Sequence, residues 1–197
     1  QSNGDYRSRA TGTWGTAASW DTYNGTTWVA ASAAPTSASG IVTIQNGHII
    51  TVNNNATIDQ VVVQTGGQLT IANNNNTLTL ADGAGTDLSV FGKVLYTSGN
   101  ITQNGSIIFE SGSQYEQTLE GAAIPTAAWN ANSLCYINIT TTSTAGFPTA
   151  GLGQLFGNLS IAFPSGSRDL SINSSLTVQG NLIINNATAR SIFFNTG

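Results

Sequence analysis

Residues 41–71 read IVTIQNGHII TVNNNATIDQ VVVQTGGQLT I, and three triplets inside that stretch share one pattern. Val42-Thr43-Ile44, Ile50-Thr51-Val52 and Leu69-Thr70-Ile71 each set a small polar residue between two apolar ones. An apolar period of two marks a strand with one buried face. The punctuation between them is Asn53-Asn54-Asn55 and Gly66-Gly67, residue types that tolerate the left-handed conformation of sharp turns. Working outward, the same pattern returns at Leu78-Thr79-Leu80 and Leu88-Ser89-Val90, then at Leu170-Ser171-Ile172, Leu176-Thr177-Val178 and Leu182-Ile183-Ile184, with Ile192-Phe193-Phe194 continuing it. Asn73 through Asn76 and Asn104-Gly105 supply further turns. Leu69, Leu78 and Leu88 are nine and ten residues apart, and Leu170, Leu176 and Leu182 are six apart. Sandwich strands are longer, with turns every ~8–12 residues. Strands this short suit a chain that turns after each one and stacks coil on coil. The expected fold is all-β, a right-handed parallel β-helix (β-solenoid), with an irregular β-sandwich as the alternative.

Two stretches depart from the pattern. Residues 1–40 concentrate Trp14, Trp20, Trp28, Tyr6 and Tyr23. A solenoid's first coil has an open apolar end, and an aromatic-rich N-terminal cap over it is the expected role of this segment. The solenoid is then expected over 41–197, with a longer loop at 121–134 that carries Trp129 and has room for one helical turn.

Composition narrows the function classes. Of 197 residues only 14 are charged, while Gly, Asn, Thr and Ser supply 90. An ordinary soluble domain is about one quarter charged. Apolar runs fall far short of the roughly 18 residues that a membrane-spanning helix needs. Disorder goes with low hydrophobicity and high net charge, whereas this chain is 40% hydrophobic with a net charge of −4. Lys93, Arg7, Arg9, Arg168 and Arg190 are scattered, so no basic patch is expected to hold nucleic acid. Cys135, the single cysteine, has no disulfide partner and reads as a small buried hydrophobe. The chain has no Met and opens Gln1-Ser2-Asn3-Gly4, the look of a mature terminus left by a signal peptide, so an extracellular location is expected.

A family resemblance is carried by two groups of residues. The first is Gly12-x-Trp14, Ser19-Trp20, Trp28 and Pro35, then Val42-Thr43-Ile44-x-Asn46-Gly47-His48-x-Ile50-Thr51-Val52 and Gly66-Gly67-Gln68-Leu69. The second is Ser113-x-Tyr115-x-Gln117, Ile124-Pro125-x-Ala127-x-Trp129-x-x-x-Ser133-x-Cys135, and Pro148-x-x-Gly151-Leu152-x-Gln154-x-Phe156-Gly157-Asn158-Leu159. Together they span most of the chain and resemble repeat-rich secreted surface proteins of Bacteroidota. The resemblance implies an adhesin-like β-solenoid exported by the type IX route. This chain is short and shows no C-terminal sorting domain, so attachment by that device is not expected of these 197 residues.

Catalysis needs convergent groups with tuned protonation. His48 is the single histidine, and its expected role is a hydrogen bond across its Gly-His turn. No Gly-x-Ser-x-Gly elbow accompanies it, and one His with one Cys cannot supply zinc's usual ligands. Paired carboxylates remain: Asp82 with Asp87, and Glu110, Glu116 and Glu120, which are expected on successive coils. The turn Asp82–Asp87 offers carboxylates to Ca²⁺ but lacks the calcium-roll repeat, so a plain Gly-rich turn is the expectation. No catalytic residue, metal or cofactor is expected. Trp14, Trp20, Tyr23, Trp28 and Trp129 are the candidates for sugar stacking, set against a bland role in the cap and loop core. The strand signals run to Phe194 and no cap is recognised before Gly197, which leaves strand edges for another copy. The expected function is therefore a non-enzymatic extracellular structural or adhesive protein. Its partners are further copies, joined end to end into a surface fibre or filament, and surface glycans. The alternatives are a carbohydrate-binding module and, behind it, a β-helical polysaccharide-degrading enzyme.

Overall fold

The computed structural model describes residues 1–72, 76–139, 147–148, 150–163, 170–172, 174–186 and 192–194. The chain winds into an all-β solenoid of roughly six turns, with strands stacked in parallel sheets. Three faces build each regular coil. Face A stacks Tyr6–Ser8, Val42–Ile44, Val61–Val63, Leu88–Val90, Ile107–Phe109 and Ala128–Trp129. Face B runs from Gly12–Thr13 through Ile49–Val52, Gln68–Ile71, Lys93–Tyr96, Gln114–Gln117, Leu134–Asn138 and Asn158–Phe163 to Leu182–Asn186. Face C holds Ala56–Ile58, Thr77–Leu80 and Asn100–Gln103. Two short pairs continue the stack: Leu155–Phe156 with Thr177–Val178, and Leu170–Ile172 with Ile192–Phe194. Neighbouring strands on these faces are parallel and one coil apart, which a sandwich of antiparallel hairpins would not produce.

The triplet pattern works as strand chemistry predicts. Apolar positions point inward and stack on their equivalents in the next coil. On face B the column is Ile50, Leu69, Val94, Tyr115, Cys135 and Leu159, all buried. On face A it is Ile44, Val63, Val90, Phe109 and Trp129. Each such aliphatic side chain contributes about 1.5–3 kcal/mol on burial. The intervening polar positions face outward, as Thr57, Thr79 and Thr102 do in one row on face C.

The spacing is the step from one face to the next. Leu69, Leu78 and Leu88 lie on faces B, C and A of a continuous path, so nine and ten residues is the step between faces. The six-residue step from Leu170 to Leu182 likewise crosses faces. Coil-to-coil repeats are longer and uneven. Val42, Val61, Leu88 and Ile107 stack on one another at separations of 19, 27 and 19 residues.

The cap segment contains a coil of its own. Tyr6 pairs in register with Val42, and Gly12 with Ile50. An antiparallel extension, Trp20–Tyr23 and Trp28–Ala30, then continues face A past that coil. Trp14 and Trp20 close the apolar end beneath it, with rings 5.0 Å apart edge to face. Their indole N–H groups donate to Pro35 O (3.1 Å) and Trp14 O (2.9 Å) respectively. The excursion at 121–134 has no helical turn: its strand Ala128–Trp129 rejoins face A, and the 3-10 turn Ala17–Ser19 is the only helix among the described residues. Of the expected Asn turn, Asn73 to Asn75 lie outside the described residues, as does Gly197.

Candidate functional site

The five candidate aromatics separate into two groups. Trp14, Trp20 and Trp129 are buried, so none presents the open ring that a sugar would need. Trp129 stacks on Phe109 at 4.3 Å because the two are in-register neighbours on face A. Its indole N–H donates to Gln154 Oε1 (3.1 Å). Gln154 also accepts from the Ala127 N–H and donates to the carbonyls of Pro125 and Gly151. Pro125, Ala127, Trp129, Gly151 and Gln154, which carry much of the second resemblance, thus form one staple that closes the excursion.

Tyr23 and Trp28 stay half-buried on the outside of the cap, cross-strand neighbours with rings 5.3 Å apart. Alternation along face A puts Arg7 outward beside them. Its guanidinium lies 4.5 Å from the centre of the Trp28 ring and pairs with Asp21 at 3.2 Å. From Arg7 the outward row continues in register through Thr43, Val62 and Ser89. A groove of about 280 Å³ opens there, lined by Asp5, Arg7, Trp28, Thr43, Gln45 and Gln64. A second depression of about 260 Å³, also lined by Ile41, lies beside Gln60, Val62 and Ser89. Its polar groups come from three coils, so residue identity alone did not disclose them. Only Trp28 was marked, by its aromatic character.

The two charged side chains lining the groove are both engaged. The Asp5 carboxylate accepts the N–H groups of Ser2 (2.7 Å) and Ile41 (3.0 Å). Arg7 is neutralised by Asp21.

The other candidates for chemistry are occupied. His48 Nδ1 lies 2.8 Å from Ser8 Oγ, in the preceding coil rather than across its own turn. Ser8 is fully buried and its hydroxyl also accepts the Gln45 N–H, so it cannot reach a substrate. Glu110, Glu116 and Glu120 fall on one coil, not on successive coils: one follows the face A strand, one lies in face B and one lies beyond it. Burial alone would raise the Glu116 carboxyl, but Lys93 at 2.6 Å and the Asn138 amide at 2.8 Å hold it below the usual range. Asp87 finds its carboxylate neighbour in Asp59 of the preceding coil. Burial pushes the Cys135 thiol far above its ordinary range, the wrong direction for a nucleophile. Among the described residues no group of three His, Cys, Asp or Glu side chains is placed to hold a metal ion. No helix among them is long and apolar enough to cross a membrane. No protein-family model, curated protein or solved structure matches the chain.

Proposed function

We propose that this chain is a non-enzymatic structural element of the cell exterior, a β-solenoid rod that stacks end to end through its C-terminal coil. One observation carries the reading. Leu182 is in register with Leu159 in the inward column of face B, yet Leu159 is fully buried and Leu182 is 41% exposed. Ile184, in register with the fully buried Ile161, is likewise only half-buried. Among the described residues, Leu182–Asn186 pairs on one side only, with Asn158–Phe163. No described strand pairs with its other edge, and an unpaired edge is a template for a further strand. The burial of Ser8 and Cys135 and the ion pair of Glu116 support a role without catalysis. The extracellular setting rests on the resemblance to secreted Bacteroidota surface proteins.

Light scattering after size exclusion, with electron microscopy across a range of concentrations, tests the assembly. The expected result is concentration-dependent association that Leu182→Asp abolishes while the β-sheet circular dichroism is kept. A wild-type protein that stays monomeric throughout overturns it.

A further inference from the structure

We infer that the outer groove of face A beside Trp28 binds a neutral oligosaccharide. The inference is independent of end-to-end stacking, which involves the opposite end of the rod. A sugar presents apolar ring faces and a rim of hydroxyls, and needs a partly exposed aromatic beside unspent donors and acceptors. The groove has both. The indole N–H of Trp28, the Thr43 hydroxyl, Gln45 Oε1 and Gln64 Nε2 have no hydrogen-bond partner among the described residues.

These groups are also held in place. Gln45 Nε2 donates to Ser8 O (2.6 Å), which fixes the amide and leaves its oxygen free. Gln64 Oε1 accepts the Asn46 N–H (3.3 Å), which leaves its nitrogen free. Arg7 and Tyr23 flank the Trp28 ring. Side chains fixed before binding lose less entropy on binding.

Charge selects the ligand class. Arg7 is paired with Asp21, and the Asp5 carboxylate is buried and accepts two backbone N–H groups, so no exposed, unpaired charge lines the groove to draw an ionic ligand. Hydroxyls are what the free amide and hydroxyl groups match. The shape favours an oligomer over a single sugar. The two depressions share Ile41 as a lining residue and succeed each other along the stacking direction, in which strands are about 4.8 Å apart.

The test is titration calorimetry on the whole chain with cello-, manno- and xylo-oligosaccharides, and with oligogalacturonate as the acidic comparison. At least one neutral series is expected to bind, with affinity unchanged between roughly 0.05 and 0.5 M salt. Trp28→Ala is expected to weaken binding about tenfold or more, and Gln64→Ala about three- to tenfold. Because Trp28 also packs on the cap, Gln64→Ala and Thr43→Val, whose side chains face outward, test the groove without disturbing the core. The inference fails if no neutral oligosaccharide binds. It also fails if Gln64→Ala and Thr43→Val both bind like wild type, or if only oligogalacturonate binds and salt removes it.

Discussion

Asp87 is buried with its acceptors filled: the N–H groups of Gly83 (2.8 Å) and Ser106 (2.6 Å) and the Ser106 hydroxyl (2.9 Å) all donate to it. Burial alone would raise this carboxyl, and the donors bring it below the usual range. Asp59 meets the opposite situation. Burial, then the hydrogen bond and the negative charge of Asp87, raise its carboxyl, and its Oδ1 is enclosed without a partner. These directions fit a proton held on Asp59 and offered to Asp87. The linkage signs follow from the directions. Asp87 contributes stability above the ordinary carboxylate pKa of 3.8, lost as pH falls through its depressed value. Asp59 contributes stability at and below 3.8, lost as pH rises through its raised value. Asp59→Asn keeps a donor toward Asp87 at every pH. Urea unfolding from pH 4 to 8 should therefore give equal midpoints near pH 4 and a growing advantage for Asp59→Asn toward pH 8. Parallel profiles would mean that no proton is shared. Asp87 was legible as half of a carboxylate pair, but with Asp82 in its own turn. The true partner lies a coil away, and only the stacking register reveals it.

One column of corner residues lets the coils approach. His48, Gly67, Gly92, Ser113, Ser133 and Gly157 each precede a face B strand, and the strand registers stack them. A Cβ on Gly92 would press on the carbonyls of Gln64 and Gly67, and one on Gly157 on that of Asn130. Ser113 and Ser133 fit where their corners give room, each hydroxyl donating to the carbonyl three residues earlier at 2.7 Å. Gly92→Ala should lower stability by about 1–3 kcal/mol in thermal or urea unfolding. Gly153→Ala, whose Cβ would meet nothing, should stay within about 0.5 kcal/mol of wild type. Equal effects at the two sites would remove the corner column from the account. The strand triplets were legible because alternation is local. The repeat was not, because all three faces carry the same kind of triplet and the nearest similar triplet belongs to the next face. Ala56–Ile58 and Val61–Val63 escaped notice for a related reason. The corner between them is Asp59-Gln60, with Gln60 itself in the left-handed region at φ 50°, so no glycine announces the turn. The groove was less legible still. Trp14, Trp20 and Trp28 are alike as letters, and only their placement against the first coil separates the two buried ones from the half-exposed one.

A solenoid is nearly one-dimensional, each coil touching only its neighbours, so stability is local and the two ends count separately. Here the ends differ. At one, Trp14 and Trp20 are buried and hydrogen-bonded beneath the antiparallel extension. At the other, Leu182, an inward position in register with the buried Leu159, is exposed among the described residues. The proposed stacking uses the exposed coil, because stacking on the sealed end would first have to displace the two tryptophans. With so few charged groups, little repulsion opposes the approach. The same geometry decides how damage spreads. Trp20→Ala removes a fully buried indole and should cost about 3–5 kcal/mol at the first coil. In native-state hydrogen exchange the loss should appear in the amides of Tyr6–Ser8, Val42–Ile44 and Ile49–Val52, which lie next to the cap. The amides of Leu134–Asn138, several coils away, should exchange at the wild-type rate. Equal acceleration in every coil would instead mean that the stack opens as a single cooperative unit. The open end would then be no weaker than the sealed one, and the exposed Leu182 would mark a surface without marking a fraying coil.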